Sequence, residues 1–132
     1  FNISEASAAS AGSYTVLISN SIGQMESLPA QVNVLSAPVI SSGPAAKKAL
    51  VGENVSLSVS AAGYPALSYR WRKNGADIIG NPSAGTSTLT LPSVSISDTG
   101  SYDVVVSNTE GSLTSSPASL VVSNAIYTIP CQ

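Results

Sequence analysis

An ungapped internal repeat is the feature that most restricts how this chain can fold. Residues 1–34 align with residues 89–122 at a constant offset of 88 residues. The matched positions are Phe1 with Leu89, Ile3 with Leu91, Gly12 with Gly100, Tyr14 with Tyr102, Val16 with Val104, Ile18 with Val106, Asn20 with Asn108, Gly23 with Gly111, Pro29 with Pro117, Ala30 with Ala118, Val32 with Leu120 and Val34 with Val122. A period of this length is that of a whole domain. We therefore predict the last third of one domain followed by one complete domain.

Alternation of apolar and polar residues predicts β-strands in the complete copy. In residues 55–61 every second residue is apolar and the residues between are serines, and residues 67–72 repeat the pattern with Trp71 inward and arginines outward. This period of two is that of a strand with one buried face. Asn74-Gly75 is a tight-turn signal. No helical periodicity competes, so the chain is predicted to be all-β.

The last strand contains one irregularity. Leu113 and Ser115 share one parity, whereas the apolar residues of 118–122 share the other. A one-residue slip at Ser116-Pro117 reconciles the two halves, and the earlier copy slips at Leu28-Pro29. We predict a β-bulge at both places.

The repeat also sets the predicted domain limits. Residues 1–34 are the C-terminal part of one domain, 35–38 a linker and 39–123 a complete domain, and 124–132 are a tail or the first strand of a next repeat. Because the sequence does not begin with Met, we expect it to be part of a longer chain.

Four segments resemble the immunoglobulin-like fold, and specifically its intermediate set: 52–57, 69–75, 89–91 and 98–102. The resemblance implies a Greek-key β-sandwich over residues 39–123. It also assigns residues 1–34 to strands E, F and G of a preceding domain.

The resemblance further implies which residues form the core. Trp71 is the core tryptophan, and Tyr102 and Tyr14 are tyrosine-corner residues. Val59 and Val104 occupy the positions of the inter-sheet disulfide, so packing must replace a bond worth about 2–4 kcal/mol. The implied structural core is Trp71, Tyr102, Val59, Val104, Leu57, Leu91, Tyr14 and Val16.

Cysteine-free repeats that end in Tyr-Asp-Val-Val-Val-Ser-Asn and Ser-Pro-Ala are similar to the tandem immunoglobulin-like domains of large bacterial surface or secreted proteins. That resemblance implies a structural spacer or adhesion element of a larger surface or filamentous assembly, with neighbouring repeats or copies of itself as protein partners. Charged residues make up only 9% of the sequence, which also favours an extracellular setting.

The composition excludes several kinds of chemistry. The chain has no histidine and one cysteine, which removes Ser-His-Asp and Cys-His catalysis and a structural zinc site. We predict no enzyme activity, no cofactor and no metal site. The net charge of −2 argues against a nucleic-acid partner, and no apolar run is long enough for membrane insertion.

Several alternatives stay open. The partial domain belongs to a longer tandem array, or strands from another chain complement it. A second functional hypothesis is an accessory module of a secreted hydrolase that binds glycan or another ligand through Tyr64. Cys131 is a free thiol or an intermolecular bridge. Asn2-Ile3-Ser4 and Asn54-Val55-Ser56 match the N-glycosylation tripeptide, which matters only in a eukaryotic secretory setting.

Overall fold

The structure, a computed structural model, describes residues 1–124 of the chain. It divides into two compact units, Phe1–Ser36 and a second unit that begins at Ala37. The division falls inside the segment predicted as a linker. The predicted tail after Asn124, including Cys131, lies outside the described residues.

The first unit is a pair of short antiparallel ladders. Its elements are a 3-10 helix, Ala8–Ser10, and the strands β1 (Gly12–Tyr14), β2 (Leu17–Ser19), β3 (Gln24–Glu26) and β4 (Ala30–Val32). Strand β1 pairs with β4, and β2 pairs with β3. The expected E strand at residues 1–3 is not formed. In the second unit the equivalent strand, Thr88–Leu91, pairs with the strand Val55–Ser58, and Phe1–Ser36 contains no counterpart of Val55–Ser58.

The second unit contains ten strands and two 3-10 helices among the described residues. The strands are β5 (Ser36–Ser42), β6 (Lys47–Leu50), β7 (Val55–Ser58), β8 (Ser60–Tyr64), β9 (Ser68–Lys73), β10 (Ala76–Asp77), β11 (Thr88–Leu91), β12 (Gly100–Asn108), β13 (Gly111–Thr114) and β14 (Ala118–Ser123), and the 3-10 helices are Pro82–Gly85 and Ile96–Asp98. The first strand begins at Ser36, so most of the predicted linker is already strand.

These strands form the predicted all-β sandwich. One sheet has the order β10-β9-β12-β14-β6, with β13 also paired to β12. Its β6–β14 pair is parallel, and the other pairs are antiparallel. Two-stranded pairs, β11–β7 and β5–β8, complete the fold. The strand predicted over residues 55–61 is interrupted at Val59, whose N–H donates to the carbonyl of Ser87 at 2.9 Å.

The hairpin at Asn74-Gly75 follows from residue type. Asn74 has φ of 50° and Gly75 has φ of 82°, and asparagine and glycine tolerate this left-handed region best. The Asn74 side chain accepts the N–H of Ser101 at 2.9 Å. The turn that joins β9 to β10 is thereby tied to the start of β12.

The core of the second unit surrounds Trp71. Trp71, Tyr102, Val104, Leu57 and Val59 are all buried, and the Trp71 indole donates to the carbonyl of Thr86 at 2.8 Å. Leu91, at the end of β11, is only partly buried against this cluster. Four other core side chains are also fully buried: Leu89, Leu120, Val94 and Val106.

Candidate interaction surface

The two copies of the repeated hairpin share the same tyrosine hydrogen bond. The Tyr102 hydroxyl donates to the carbonyl of Asp98 at 2.7 Å, and the Tyr14 hydroxyl donates to the carbonyl of Ser10 at 2.6 Å. The two donor tyrosines are 88 residues apart in the sequence, and so are the two residues whose carbonyls accept. This is the arrangement of a tyrosine corner, in which the ring is tied to the backbone a few residues upstream.

Both copies also contain the predicted bulge. In the second unit Thr114 opposes Val105 but Ala118 opposes Tyr102, so three residues of one strand face two of the other. The Ser115 hydroxyl accepts the N–H of Val104 at 3.1 Å and donates to the carbonyl of Ser116. The register slip is confirmed, and a serine side chain takes the place of the missing ladder acceptor.

The first unit repeats this bulge with the equivalent serine. The Ser27 hydroxyl accepts the N–H of Val16 at 2.9 Å and donates to the carbonyl of Leu28 at 3.0 Å. Leu17 opposes Glu26, whereas Tyr14 opposes Ala30. The one-residue slip is therefore present here too, so the local backbone chemistry of the two hairpins is the same.

The two hairpins differ in how far their apolar side chains are buried. Val104 is fully buried, whereas Val16 is 55% exposed; Leu89 is fully buried, whereas Phe1 is completely exposed. The core assignment of Val16 is therefore corrected. In the second unit β7 and β9 supply the side chains that pack on Val104, and Phe1–Ser36 has no equivalent strands. Tyr14 is half-buried.

The uncovered surface forms a shallow apolar groove of about 380 Å³. The Phe1 and Tyr14 rings both line this groove, and their centroids are 5.8 Å apart. The groove is lined by Phe1, Tyr14, Thr15, Val16, Ser27, Leu28 and Ala30. We call this surface the open face. It has no acid or base in its lining, so its chemistry is that of packing.

A charged pair on the outer side of the main sheet was not predicted. Arg72 donates from Nε and from an Nη atom to the two carboxylate oxygens of Asp103, at 2.7 and 2.9 Å. The hydrogen bond to Asp103 is the main cause that raises the pKa of Arg72. The sequence interpretation placed Arg72 on the outward face of its strand and gave it no partner. The register of β9 and β12 sets Arg72 directly opposite Asp103, where opposite charges attract each other. Local periodicity in the sequence gives no signal for this register.

Tyr102 is the buried titratable group of the second unit. Burial, and next the charge of Asp98, raise the pKa of its hydroxyl to about 12 from the ordinary value of 10.0. A phenol in this position stays protonated and acts as a hydrogen-bond donor. It contributes to the fold and not to proton transfer near neutral pH.

The remaining predicted contacts do not converge on a catalytic or metal site. Tyr64 ends β8 and is 43% exposed, and its role as a ligand contact stays a prediction. Within residues 1–124 no three Cys, Asp or Glu side chains come together as metal ligands. The same residues include no helix long and apolar enough to cross a membrane.

Comparison with known proteins identifies the family. The immunoglobulin domain family matches residues 37–108. The chain belongs to the immunoglobulin domain family. Its fold is also shared with solved immunoglobulin structures: the tandem Ig repeats of Dlar are 28% identical with a TM-score of 0.62, over 67% of this chain and 49% of that one. Drosophila OTK extracellular domains 3–5 match at 24% identity with a TM-score of 0.63, over 90% of this chain and 42% of that one, which shows the fold alone.

Sequence relatives of this immunoglobulin chain come from animals. The muscle M-line assembly protein unc-89 of Caenorhabditis elegans is 36% identical over 81% of this chain, and the human SPEG neighbor protein is 33% identical over 76%. The chain spans 1% of the first protein and 44% of the second. Human Contactin-2 is 36% identical over 64% of this chain and 8% of its own length.

These relatives correct the bacterial assignment. All three are eukaryotic, so the resemblance to bacterial surface repeats is not supported. The features that suggested bacteria were the cysteine-free repeats and their ends, Tyr-Asp-Val-Val-Val-Ser-Asn and Ser-Pro-Ala. Packing of Val59 and Val104 around Trp71 is a property of one domain's interior, and it carries no information about the kind of organism.

Proposed function

We propose that this chain is a segment of a tandem array of immunoglobulin domains and acts as a structural spacer or adhesion element without a catalytic role. The observation that carries the proposal is the repeated hairpin, with the same tyrosine and serine hydrogen bonds 88 residues apart. Strand β4 ends at Val32 and β5 begins at Ser36. The last strand of the first unit is therefore separated from the first strand of the second by only residues 33–35.

The relatives support a role in assembly or adhesion. One is named as a muscle M-line assembly protein, and the chain aligns with a small part of it. Solved structures with this fold include tandem Ig repeats. In such arrays the partners of a domain are its neighbours in the chain and the proteins that dock along it.

We place this array outside the cell. The low charged fraction of 9% supports that setting, because polar uncharged side chains then form most of the surface. The muscle relative favours the alternative, an array inside the cell. Antibody staining of intact against permeabilised cells that produce the natural protein decides between them: signal on intact cells is expected, and signal only after permeabilisation contradicts the extracellular setting.

We further propose that the open face is completed by strands equivalent to those between Ala37 and Thr88. They come from sequence before Phe1 or from another copy of the chain. The second unit supports this proposal, because the same strands cover the matching face there. Completion would bury Phe1 and Val16, which are now exposed, and would remove an open sheet edge that invites pairing.

A chimeric chain tests the completion. Residues Ala37–Thr88 are duplicated directly before Phe1, so that Thr88 of the duplicate precedes Phe1 as Thr88 precedes Leu89 in the natural order. Amide hydrogen exchange at Tyr14 and Val16 should slow strongly, because these groups enter a closed sandwich. A matched control carries Trp71→Asp in the duplicate only and should show no protection. Unchanged exchange in the first chimera contradicts the proposal.

Sedimentation distinguishes the two sources of the missing strands. If another copy supplies them, the unextended chain should form larger species as its concentration rises, and the chimera should stay monomeric. A monomer at all concentrations in both cases excludes interchain complementation and leaves upstream sequence as the source.

A further inference from the structure

Asn54 stands in a tripeptide with the spacing of an N-glycan acceptor, Asn54-Val55-Ser56. It directly precedes β7, in which alternate residues face opposite sides. Asn54 and Ser56 are both exposed, whereas Val55 between them is only 5% exposed and lies in the core. The asparagine and the hydroxyl that an acceptor needs thus share the solvent face.

A backbone hydrogen bond orients the Asn54 amide. The N–H of Ser93 donates to Oδ1 of Asn54 at 2.9 Å. Only the oxygen of a side-chain amide can accept a hydrogen bond, so this bond directs Oδ1 of Asn54 towards Ser93. The amide nitrogen Nδ2 is not used in this bond. Attachment of a sugar at Nδ2 retains Oδ1 as an acceptor. The modification is therefore compatible with the hydrogen bond to Ser93, whose φ is 48°.

The surroundings of Asn54 leave room for a large polar group. Along the outer face of the β7–β11 pair, Ser56 opposes Thr90 and Ser58 opposes Thr88. All four side chains are exposed and small. No long side chain from these two strands stands over the face, and the hydroxyl groups offer hydrogen bonds to a sugar.

We propose that Asn54 is an N-glycosylation site. The donor is an oligosaccharide on a lipid diphosphate: the bond from Nδ2 to the sugar C1 forms, the bond from C1 to the phosphate oxygen breaks, Nδ2 loses a proton, and the lipid diphosphate leaves. The inference rests on the extracellular setting proposed above, because only secreted chains meet this donor. The glycan would cover the hydroxyl-rich face of β7 and β11.

The test uses the full 132-residue chain, secreted from insect cells behind a cleavable leader. All variants carry Asn2→Gln, which removes the tripeptide at residues 2–4. Intact mass before and after treatment with a peptide amidase that releases N-glycans should show one glycan, with aspartate at position 54 after release. Ser56→Ala and Asn54→Asp should both lose the glycan completely.

Two matched variants separate the acceptor from the fold. Ser56→Thr keeps the tripeptide and should keep the glycan. Asn54→Asp keeps an acceptor oxygen for the Ser93 N–H, so the variant should stay folded while it loses the glycan. A secreted, folded parent chain with unmodified Asn54 overturns the proposal.

That outcome leaves the spacer function untouched, because completion of the open face is measured separately with the duplicated-segment chain. Conversely, absence of the natural protein from the surface of intact cells contradicts the extracellular setting and not the acceptor geometry at Asn54.

Discussion

The hairpins at residues 12–32 and 100–120 have nearly the same local structure and opposite environments. Each has a tyrosine tied to the backbone four residues upstream and a serine that closes a bulge. In one hairpin the central valine, Val104, is fully buried; in the other the equivalent Val16 is 55% exposed. Backbone geometry in this motif is therefore set within the hairpin, whereas burial is supplied by strands elsewhere in the chain.

This difference explains where the stability of the chain is concentrated. Apolar side chains stabilise a fold in proportion to the area that they remove from water. In the second unit the hairpin packs on Trp71 and Leu57. The open face removes little area, so side-chain changes in the first unit should have small effects.

The largest contrast is expected from placing a charge at the two valines. Val104→Asp buries a carboxylate among apolar side chains and should destabilise the second unit by at least about 4 kcal/mol. Val16→Asp faces water and should change the free energy of unfolding by less than about 0.5 kcal/mol. Denaturant unfolding followed by Trp71 fluorescence measures Val104→Asp, and amide hydrogen exchange within Phe1–Ser36 measures Val16→Asp. A similar loss in the two variants would mean that Val16 already belongs to a closed core.

The bulge serines give the next contrast. Ser115→Ala removes the acceptor for the buried N–H of Val104, and an unsatisfied buried donor costs about 1–3 kcal/mol. Ser27→Ala frees the N–H of Val16, which water can reach, and should cost less than about 0.5 kcal/mol. Chemical denaturation measures Ser115→Ala, and hydrogen exchange at Val16 reports the local effect of Ser27→Ala. Equal stability of Ser115→Ala and the parent chain contradicts this role of the hydroxyl.

These contrasts also show what the sequence could predict. Alternation and the parity change around Ser116 predicted strands and the bulge, because both depend on neighbouring residues. The exposure of Val16 and the absence of a strand at residues 1–3 go with the lack, within Phe1–Ser36, of strands equivalent to β7 and β9. The bond between Arg72 and Asp103 depends on strand register, which local periodicity does not determine. The fold was thus more predictable than the surfaces.

Tyr102 should make the stability of the second unit depend on alkaline pH. Its pKa is raised to about 12 in the folded chain, above the ordinary 10.0. The hydroxyl therefore contributes full stability below pH 10, and this contribution is lost as pH rises towards 12. Tyr102→Phe removes the bond to Asp98 and should cost about 1 kcal/mol at neutral pH.

Denaturant midpoints across this pH range measure the effect of Tyr102. The parent chain should lose stability more steeply than Tyr102→Phe, because the variant has no hydroxyl to titrate at this position. Parallel pH curves for the two chains contradict the assignment of the alkaline loss to Tyr102.

The smallest expected effect comes from a surface position where the two copies differ in polarity. Ile22 is 92% exposed in the first hairpin turn, and its counterpart is Glu110, which is also exposed in the closed unit. Completion of the first domain would therefore leave Ile22 in water.

Ile22→Glu should change stability by less than about 0.5 kcal/mol, both in the natural chain and in the chimera with duplicated Ala37–Thr88. Any reduction in self-association, measured by sedimentation, should be the same in both chains, because the position is outside the completed core. Destabilisation of the chimera alone would show that the added strands cover Ile22, and that the first domain closes differently from the second.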